Sequence, residues 1–577
     1  MSIYDKSSLV LIPSGTKTGK VFSQKPVSGD GDFTFTRASA ATRVNADGNI
    51  EKETSNLLLQ SNQFDTTWTL NVNASAASGQ SGYNGSNNAW LLSTIGGQYS
   101  SARQVISSSG VHTFSVYAKA GSLGAMALSI NVTGNATYQW FDLSNGTLGV
   151  NQDNNEIDAT IELVNGTTDW YRCSVTHTGS LLDVRIFPTL INTFSTTAGN
   201  IYIQDAQLNQ GLIAQEVITT TTTALYGGIT DNTPRLDYTD SSCPALLLEP
   251  QRTNLFEQSE YFNSSYWSKI GSISITENNA VSPEGLVNAS LVTTTAGSSR
   301  LQRTFSGLTA GTRTLSLFIK AGNTTNFTIN IYDGILDRGC GFNISTGVVT
   351  YASSGVTASI IPFGNDGWYR VSHTYTSTAT SYSCQFYFDN IGTYQVYGFQ
   401  FENNASYPTS YIPTYGSSVS RVADDCAVTS VSDILNDSEG TLFLEVKGIS
   451  EGGDSRRLSV SDGTTNNRVI IEIDEIAGRF KSFMSSGGVT TGTLTSSGNV
   501  QTDTNKIAVT YTASIFKMYL NGVNVVNDTT LVGTPIGLEI IRFANATNNH
   551  KMQGFVKQAL IFPTAINDQE AIDLTTI

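Results

Sequence analysis

Apolar and polar residues alternate in short runs along almost the whole chain. In Phe114-Ser115-Val116-Tyr117-Ala118-Lys119, the residues Phe114, Val116 and Ala118 fall on one side and Ser115, Tyr117 and Lys119 on the other. This period of two is expected of a strand with one packed face and one wetter face. Such runs recur roughly every ten residues, separated by Gly, Asn, Ser and Asp, and no long stretch carries helical periodicity. The pattern predicts an all-β chain of β-sandwich or jelly-roll domains.

The runs are also duplicated at a period of about 200 residues. Asn56-Leu57-Leu58-Leu59-Gln60-Ser61-Asn62-Gln63-Phe64 with Trp68 returns as Asn254-Leu255-Phe256-Glu257-Gln258-Ser259-Glu260-Tyr261-Phe262 with Trp267. Asn88-Ala89 returns as Asn288-Ala289, and the strand from Thr113 to Gly121 as Thr314 to Gly322. Phe141-Asp142-Leu143-Ser144-Asn145-Gly146 matches Phe342-Asn343-Ile344-Ser345-Thr346-Gly347, and Trp170-Tyr171-Arg172 matches Trp368-Tyr369-Arg370. Blocks in one order with nearly constant offsets indicate two copies of one domain. Gly146 and Gly347 suit a turn that needs positive φ.

From about residue 417 a different set of strands begins, around 440–446, 468–473, 506–511 and 516–522, with 555–562 closing. Asn521-Gly522 favours a type I′ hairpin. Beyond Pro563 a short amphipathic helix is predicted, capped by Asn567 or Asp568. This third arrangement, with Tyr519-Leu520-Asn521-Gly522 at a strand end, resembles a concanavalin-A-like or laminin-G-like jelly roll, and the two repeats resemble carbohydrate-binding-module sandwiches. Phe33-Thr34-Phe35-Thr36-Arg37-Ala38-Ser39-Ala40-Ala41-Thr42-Arg43-Val44-Asn45-Ala46-Asp47-Gly48 and Thr409-Ser410-Tyr411-Ile412-Pro413-Thr414 resemble segments of structural proteins of tailed bacteriophages. In the first repeat the closing phrase is degenerate, Gln215-Glu216-Val217-Ile218-Thr219, which leaves its exit path open.

The expected organisation is an attachment segment over 1–50, repeat 1 over 51–220, a linker over 221–250, repeat 2 over 251–416 and the jelly roll over 417–577. The phage resemblance implies a virion component, a fibre or an appendage of head or tail. It would be made in the host cytoplasm, form a homodimer or homotrimer, contact other virion proteins and meet host-surface glycans.

Composition narrows the functions. Of 577 residues, 14% are charged, and 32 Lys+Arg against 47 Asp+Glu give a net charge of −15. A nucleic-acid partner needs a basic face, so none is expected. Leu9-Val10-Leu11-Ile12 is cut short by Pro13 and lacks a basic flank, so neither a signal peptide nor membrane insertion is expected. Five scattered cysteines, Cys173, Cys243, Cys340, Cys384 and Cys426, with no Cys-x-x-Cys, read as reduced thiols.

Catalytic signatures are not found. His112, His177, His373 and His550 stand alone, with His177 and His373 expected at the surface ends of strands, and there is no Gly-x-Ser-x-Gly or phosphate loop. Glu472, Asp474 and Glu475 are acidic neighbours that read as a solvated sheet edge rather than a glycosidase pair. Asp30-Gly31-Asp32 and Asn45-Ala46-Asp47-Gly48-Asn49 have the oxygen density of calcium loops and equally that of Asx turns, so no cofactor is expected beyond a structural calcium there.

The duplication sorts the tryptophans. Trp68 with Trp267, and Trp170 with Trp368, suit a shared core, whereas Trp90 and Trp140 face Ser290 and Gly341 in the other copy. Those two unmatched rings are the candidates for glycan stacking. Arg172 and Arg370 are expected to pair with a carboxylate or a ring inside the sandwich. Together these features predict a non-enzymatic virion protein displaying glycan-binding sandwiches. The alternatives are a glycan-degrading depolymerase with accessory modules and a capsid-stabilising decoration protein.

Overall fold

The computed structural model describes residues 2–27, 29–71, 73–96, 99–133, 137–152, 156–448, 456–474, 479–496 and 504–577. Among the described residues nearly all regular structure is antiparallel strand, with two short α-helices, Ile3–Lys6 and Asp568–Thr575. The second helix follows from its sequence: Asn567 caps it by accepting from the Glu570 N–H, and Glu570 returns the bond to Asn567.

Repeat 2 is a sandwich of two sheets. One runs Ile273–Val281, Val287–Thr294, Gly392–Asn403, Gly311–Ala321, Trp368–Ser377 and Val356–Phe363 in spatial order. The facing sheet runs Ser268–Ile270, Ser299–Phe305, Tyr382–Phe388, Asn326–Tyr332, Asp337–Asn343 and Val348–Ala352. Between them Phe256, Trp267, Leu317, Phe386 and Phe399 form the core. Repeat 1 keeps this plan, except that Ser101–Ala120 and Trp170–Thr189 are continuous where repeat 2 breaks the chain into Ser299–Phe305 with Gly311–Ala321 and Trp368–Ser377 with Tyr382–Phe388. The two long strands meet with Gly110 opposite Gly179.

The duplicated blocks form the same local structures. Trp68 and Trp267 donate their indole N–H to the carbonyls of Gln60 and Gln258 at 3.1 and 3.0 Å. Asp142 and Asn343 each accept from two backbone N–H groups of the following turn, which ends on Gly146 and Gly347 at φ of 66° and 69°. Tyr171 and Tyr369 lie against these glycines so closely that a Cβ would strike the rings. The exit paths agree as well. The Asn56 amide bridges the Ala206 and Ile218 carbonyls as Asn254 bridges those of Phe399 and Ile412, so backbone groups preserve what the degenerate side chains obscure.

The third sandwich is assembled from stretches far apart in the chain. In one sheet Gly554–Phe562 lies between Gly440–Gly448 and Leu9–Leu11, with Leu9 opposite Ile561, and Ala245–Leu248 also pairs with it. In the other sheet Phe33–Thr36 pairs with Asp425–Thr429. Leu9, Leu11, Phe33, Phe35, Leu246 and Leu248 enter one core with Leu442, Val509, Phe516 and Ile561. This corrects the expected division: residues 1–50 are not a separate attachment segment, and 221–250 is not merely a linker. Strands of two to four residues show too little alternation to read, and pairing across hundreds of residues leaves no local signal. The hairpin at Asn521-Gly522 forms as expected, with φ of 50° and 81°.

Candidate functional site

Alternation along the strands of repeat 2 sends Leu315, Leu317, Ile319, Val371, Ala358 and Ile360 inward. Their neighbours Phe318, Arg370, Ser372, Thr374, Thr357, Ser359, Ile361 and Phe363 therefore form an outer face. This face is one wall of a cleft of about 370 Å³. The rest of the lining comes from elsewhere in the chain: Thr42, Arg43, Val44 and Ile50, Asp237 and Thr239, Phe555, and the group Tyr407, Ser410 and Tyr411. The cleft thus sits where repeat 2 meets the third sandwich, and it combines aromatic and aliphatic walls with a few hydroxyl groups, the usual make-up of a small-ligand site.

Beneath the cleft lies a buried cluster of charges. Arg37 Nη1 is 3.2 Å from Asp424 Oδ1, Arg235 bonds both Asp424 and Glu249, and Arg421 Nη1 is 2.8 Å from Glu249 Oε2. Ser410 donates to Glu249 through its N–H at 2.7 Å and its hydroxyl at 2.6 Å, and the Glu249 N–H donates to Asp424 at 2.8 Å. Burial works to raise the Glu249 carboxyl, but Arg421 and Arg235 outweigh it and hold it well below the usual carboxylate range. Burial lowers the Arg37 guanidinium to about 10 against the pull of Asp424. The five charged residues come from three separated stretches and Ser410 from a fourth, so the cluster ties residues 37, 235 to 249 and 421 to 424 to the end of repeat 2.

A second buried ion group holds the strap formed by residues 37–52. Lys52 contacts Glu260 at 3.1 Å and Glu284 at 2.6 Å, and the hydroxyls of Tyr397, Tyr411 and Tyr415 all donate to Glu260 at 3.0 Å. Burial alone would lower the Lys52 ammonium, but the two carboxylates hold it above its ordinary value. Repeat 1 has Asn62 and Asn84 at the places of Glu260 and Glu284, so only repeat 2 carries the charges that receive the strap.

No family model and no curated protein matches the chain. Among solved structures it is similar to the CBM40 of the Ruminococcus gnavus IT-sialidase bound to α2,3-sialyllactose, at 18% identity over 24% of this chain and 84% of that one, TM-score 0.22. It is also similar to domain 4 of an extracellular arabinanase from Geobacillus stearothermophilus in complex with arabinotriose, at 11% identity over 30% of this chain and 84% of that one, TM-score 0.23. Domains LG4-5 of the mouse laminin α1 chain give 10% identity over 46% and 88%, TM-score 0.17. What the cleft can hold is read from its own residues.

The two tryptophans expected to stack on glycans do not face solvent. Trp90 is buried against Phe64, donates to the Asn62 carbonyl at 3.0 Å, and belongs to the core of repeat 1. Trp140 is wholly buried among Tyr138, Phe187 and Phe194. The inference from the unmatched copy fails because repeat 2 fills the same space from elsewhere. Tyr351, on the neighbouring strand, lies over Gly341, and a Cβ on Gly341 would stand 2.4 Å from its ring. At Ser290, the hydroxyl donates to buried Glu277, whose carboxyl burial pushes up to about 7.

Other candidates resolve into structural roles. Trp170 and Trp368 are buried and equivalent, yet Trp368 packs outside the sandwich, with Phe318, Ile50 and Tyr411. Arg172 and Arg370 lie over Tyr117 and Phe318 on the same outer faces and donate to the carbonyls of Gln215 and Thr409, not to carboxylates. His177 and His373 are buried, not at the surface. Glu472 is paired with Arg457, and Asp474 with Arg479 and Lys481, both buried, while Glu475 lies outside the described residues. Asn45 Oδ1 accepts from the N–H groups of Asp47 and Asn49, an ordinary Asx turn, and Asp30 likewise accepts from Asp32. Among the described residues no group of three or more His, Cys, Asp or Glu could hold a metal.

The cleft residues Asp237, Glu249, Tyr407 and Phe363 were not singled out in the sequence. One signal was present: Glu249 ends the apolar run Ala245-Leu246-Leu247-Leu248, and a carboxylate there demands a buried cation.

Proposed function

We propose that this protein is a non-enzymatic structural component of a tailed-phage particle that contacts surface glycans, and that the cleft between repeat 2 and the third sandwich is a glycan site. The cleft carries the reading. Phe363, backed by the buried Phe318, supplies ring surface for the C–H face of a sugar, and Thr357, Ser359 and Ser372 supply hydroxyls for its hydroxyl groups. The phage part rests on the two segments that resemble virion proteins. Both meet at this place, with Thr42 and Arg43 from one and Ser410 and Tyr411 from the other, and the Thr42 hydroxyl donates to the Tyr411 carbonyl.

A binding role suits the acidic groups of the cleft. Glu249 is locked by two arginines. Asp237 accepts from the Val44 N–H and from Thr239, although burial raises its carboxyl. Neither is placed as a free acid or base. Several copies on a particle would multiply a weak single-site affinity.

The test is binding of the full chain to a printed glycan array, followed by titration of the strongest oligosaccharide against Phe363→Ala. The reading expects saturable binding that Phe363→Ala weakens at least tenfold, with no new reducing ends after prolonged incubation. Absence of any array signal, or sustained release of reducing ends, would overturn it. Immunogold labelling of intact particles is expected to decorate them.

A further inference from the structure

The duplication gives repeat 1 the same outer face, and there it is differently furnished. Tyr117, Arg172, Ser115 and Trp170 stand at the register positions of Phe318, Arg370, Ser316 and Trp368. Tyr83 reaches over from the turn after Ala74–Gln80 and stacks on Tyr117 with ring centroids 4.0 Å apart and planes 14° from parallel. Tyr202 lies on the adjacent strand, with the Lys119 ammonium 5.9 Å from its ring. All three tyrosines are half-buried, and none belongs to the apolar core beneath.

What holds Tyr83 in place shows that the arrangement is maintained at a cost. Its hydroxyl donates to Asp205 at 2.9 Å. Asp205 sits in a bulge of Gly199–Gln210 at φ of 50°, a left-handed conformation unfavourable for a residue with a Cβ. Repeat 2 has the same bulge and uses Gly398 there, at φ of 62°. Repeat 1 thus keeps an aspartate where the backbone favours glycine, and that side chain anchors a ring that the core does not need. Backbone strain retained in this way points to function.

We propose that this face is a second carbohydrate contact, where Tyr83, backed by the stacked Tyr117, and Tyr202 present their rings to the pyranose rings of neutral glycans. Neutrality follows from the balance of charges. Lys119 is paired with Asp169 at 2.7 Å, and Arg172, which donates to the Gln215 carbonyl and to Ser115, is offset by Asp205, so the face offers no excess positive charge to an acidic sugar. Rings fixed before binding lose little freedom on contact, which lowers the entropic cost of holding a sugar.

The inference rests on the glycan reading of the cleft, and the experiment separates the two. The full chain is titrated calorimetrically with the strongest neutral hexose oligosaccharide from the array, in wild type, Tyr202→Ala, Asp205→Gly and Phe363→Ala forms. Two sites per chain are expected in the wild type and one in each variant. Asp205→Gly is the sharper arm, because it relieves the left-handed aspartate and should melt no lower than wild type while losing the repeat 1 site. If Tyr202→Ala and Asp205→Gly leave the stoichiometry at its wild-type value while Phe363→Ala reduces it, the repeat 1 contact is refuted and the cleft stands. If no variant changes binding, or nothing binds, both readings fall.

Discussion

Leu9 faces Ile561 across adjacent antiparallel strands, so an early stretch of the chain and the last strand complete one sheet. Phe35, opposite Cys426 in the partner sheet, is wholly buried in the same core. Phe35→Ala should therefore destabilise the third sandwich by about 3–5 kcal/mol, as deletion of a buried aromatic ring does. A fragment spanning 417–577 should show no cooperative melting, since it lacks the strands at 9–11, 33–36 and 245–248. Differential scanning calorimetry checks both, and a cooperative transition in the isolated fragment would count against the shared sandwich.

Removing one partner from the buried charge cluster should be worse than exchanging a surface pair. Arg235→Met leaves Glu249 and Asp424 short of a cation where water cannot reach, with an expected cost of about 3–5 kcal/mol. Lys6→Met, which breaks the exposed contact with Glu570, should cost at most about 1 kcal/mol. Urea unfolding of the two variants under one set of conditions makes the comparison.

His373 is buried, with its Nε2 2.7 Å from the Arg338 carbonyl, and burial lowers its imidazole to about 4. The unfolded chain takes up that proton near pH 6.5, so the contribution of His373 to stability is complete above that value and is lost as pH falls toward 4. The loss reaches about 3 kcal/mol. His112, lowered to about 4 for the same reason, adds in the same direction. Glu277, raised to about 7, acts oppositely between pH 4.5 and 7, so the informative quantity is the difference between wild type and His373→Gln. The melting temperature of His373→Gln should gain on that of wild type as pH is lowered from 7 to 4.

Trp90 and Trp140 should behave as core residues. Trp140→Ala is expected to cost about 3–5 kcal/mol and to leave glycan titrations unchanged at temperatures where the variant remains folded. A loss of binding without loss of stability would restore the stacking role.

The sequence made legible whatever depends on neighbours in the chain. The alternation around Phe114, the Asn521-Gly522 hairpin, the Asn567 cap and the duplicated turns at Gly146 and Gly347 are local, and each forms as expected. The cleft was not legible, because its walls come from stretches as distant as Thr42, Asp237, Phe363 and Phe555. Trp140 misled for a related reason. An unmatched ring implies a special role only if nothing else fills its place, and Tyr351 fills it from another strand.

The split third sandwich also sets an order of events during synthesis. Each repeat is continuous and can close once its own strands have emerged. Leu9 and Leu11 must wait for Gly554–Phe562, a delay of roughly 25 to 100 s for some 500 intervening residues at ordinary elongation rates. Throughout that interval the nascent chain carries an unpaired, sticky apolar tail ahead of two finished domains. A chaperone that shields the tail, or a neighbouring nascent copy that captures it, would decide how many chains reach the native fold.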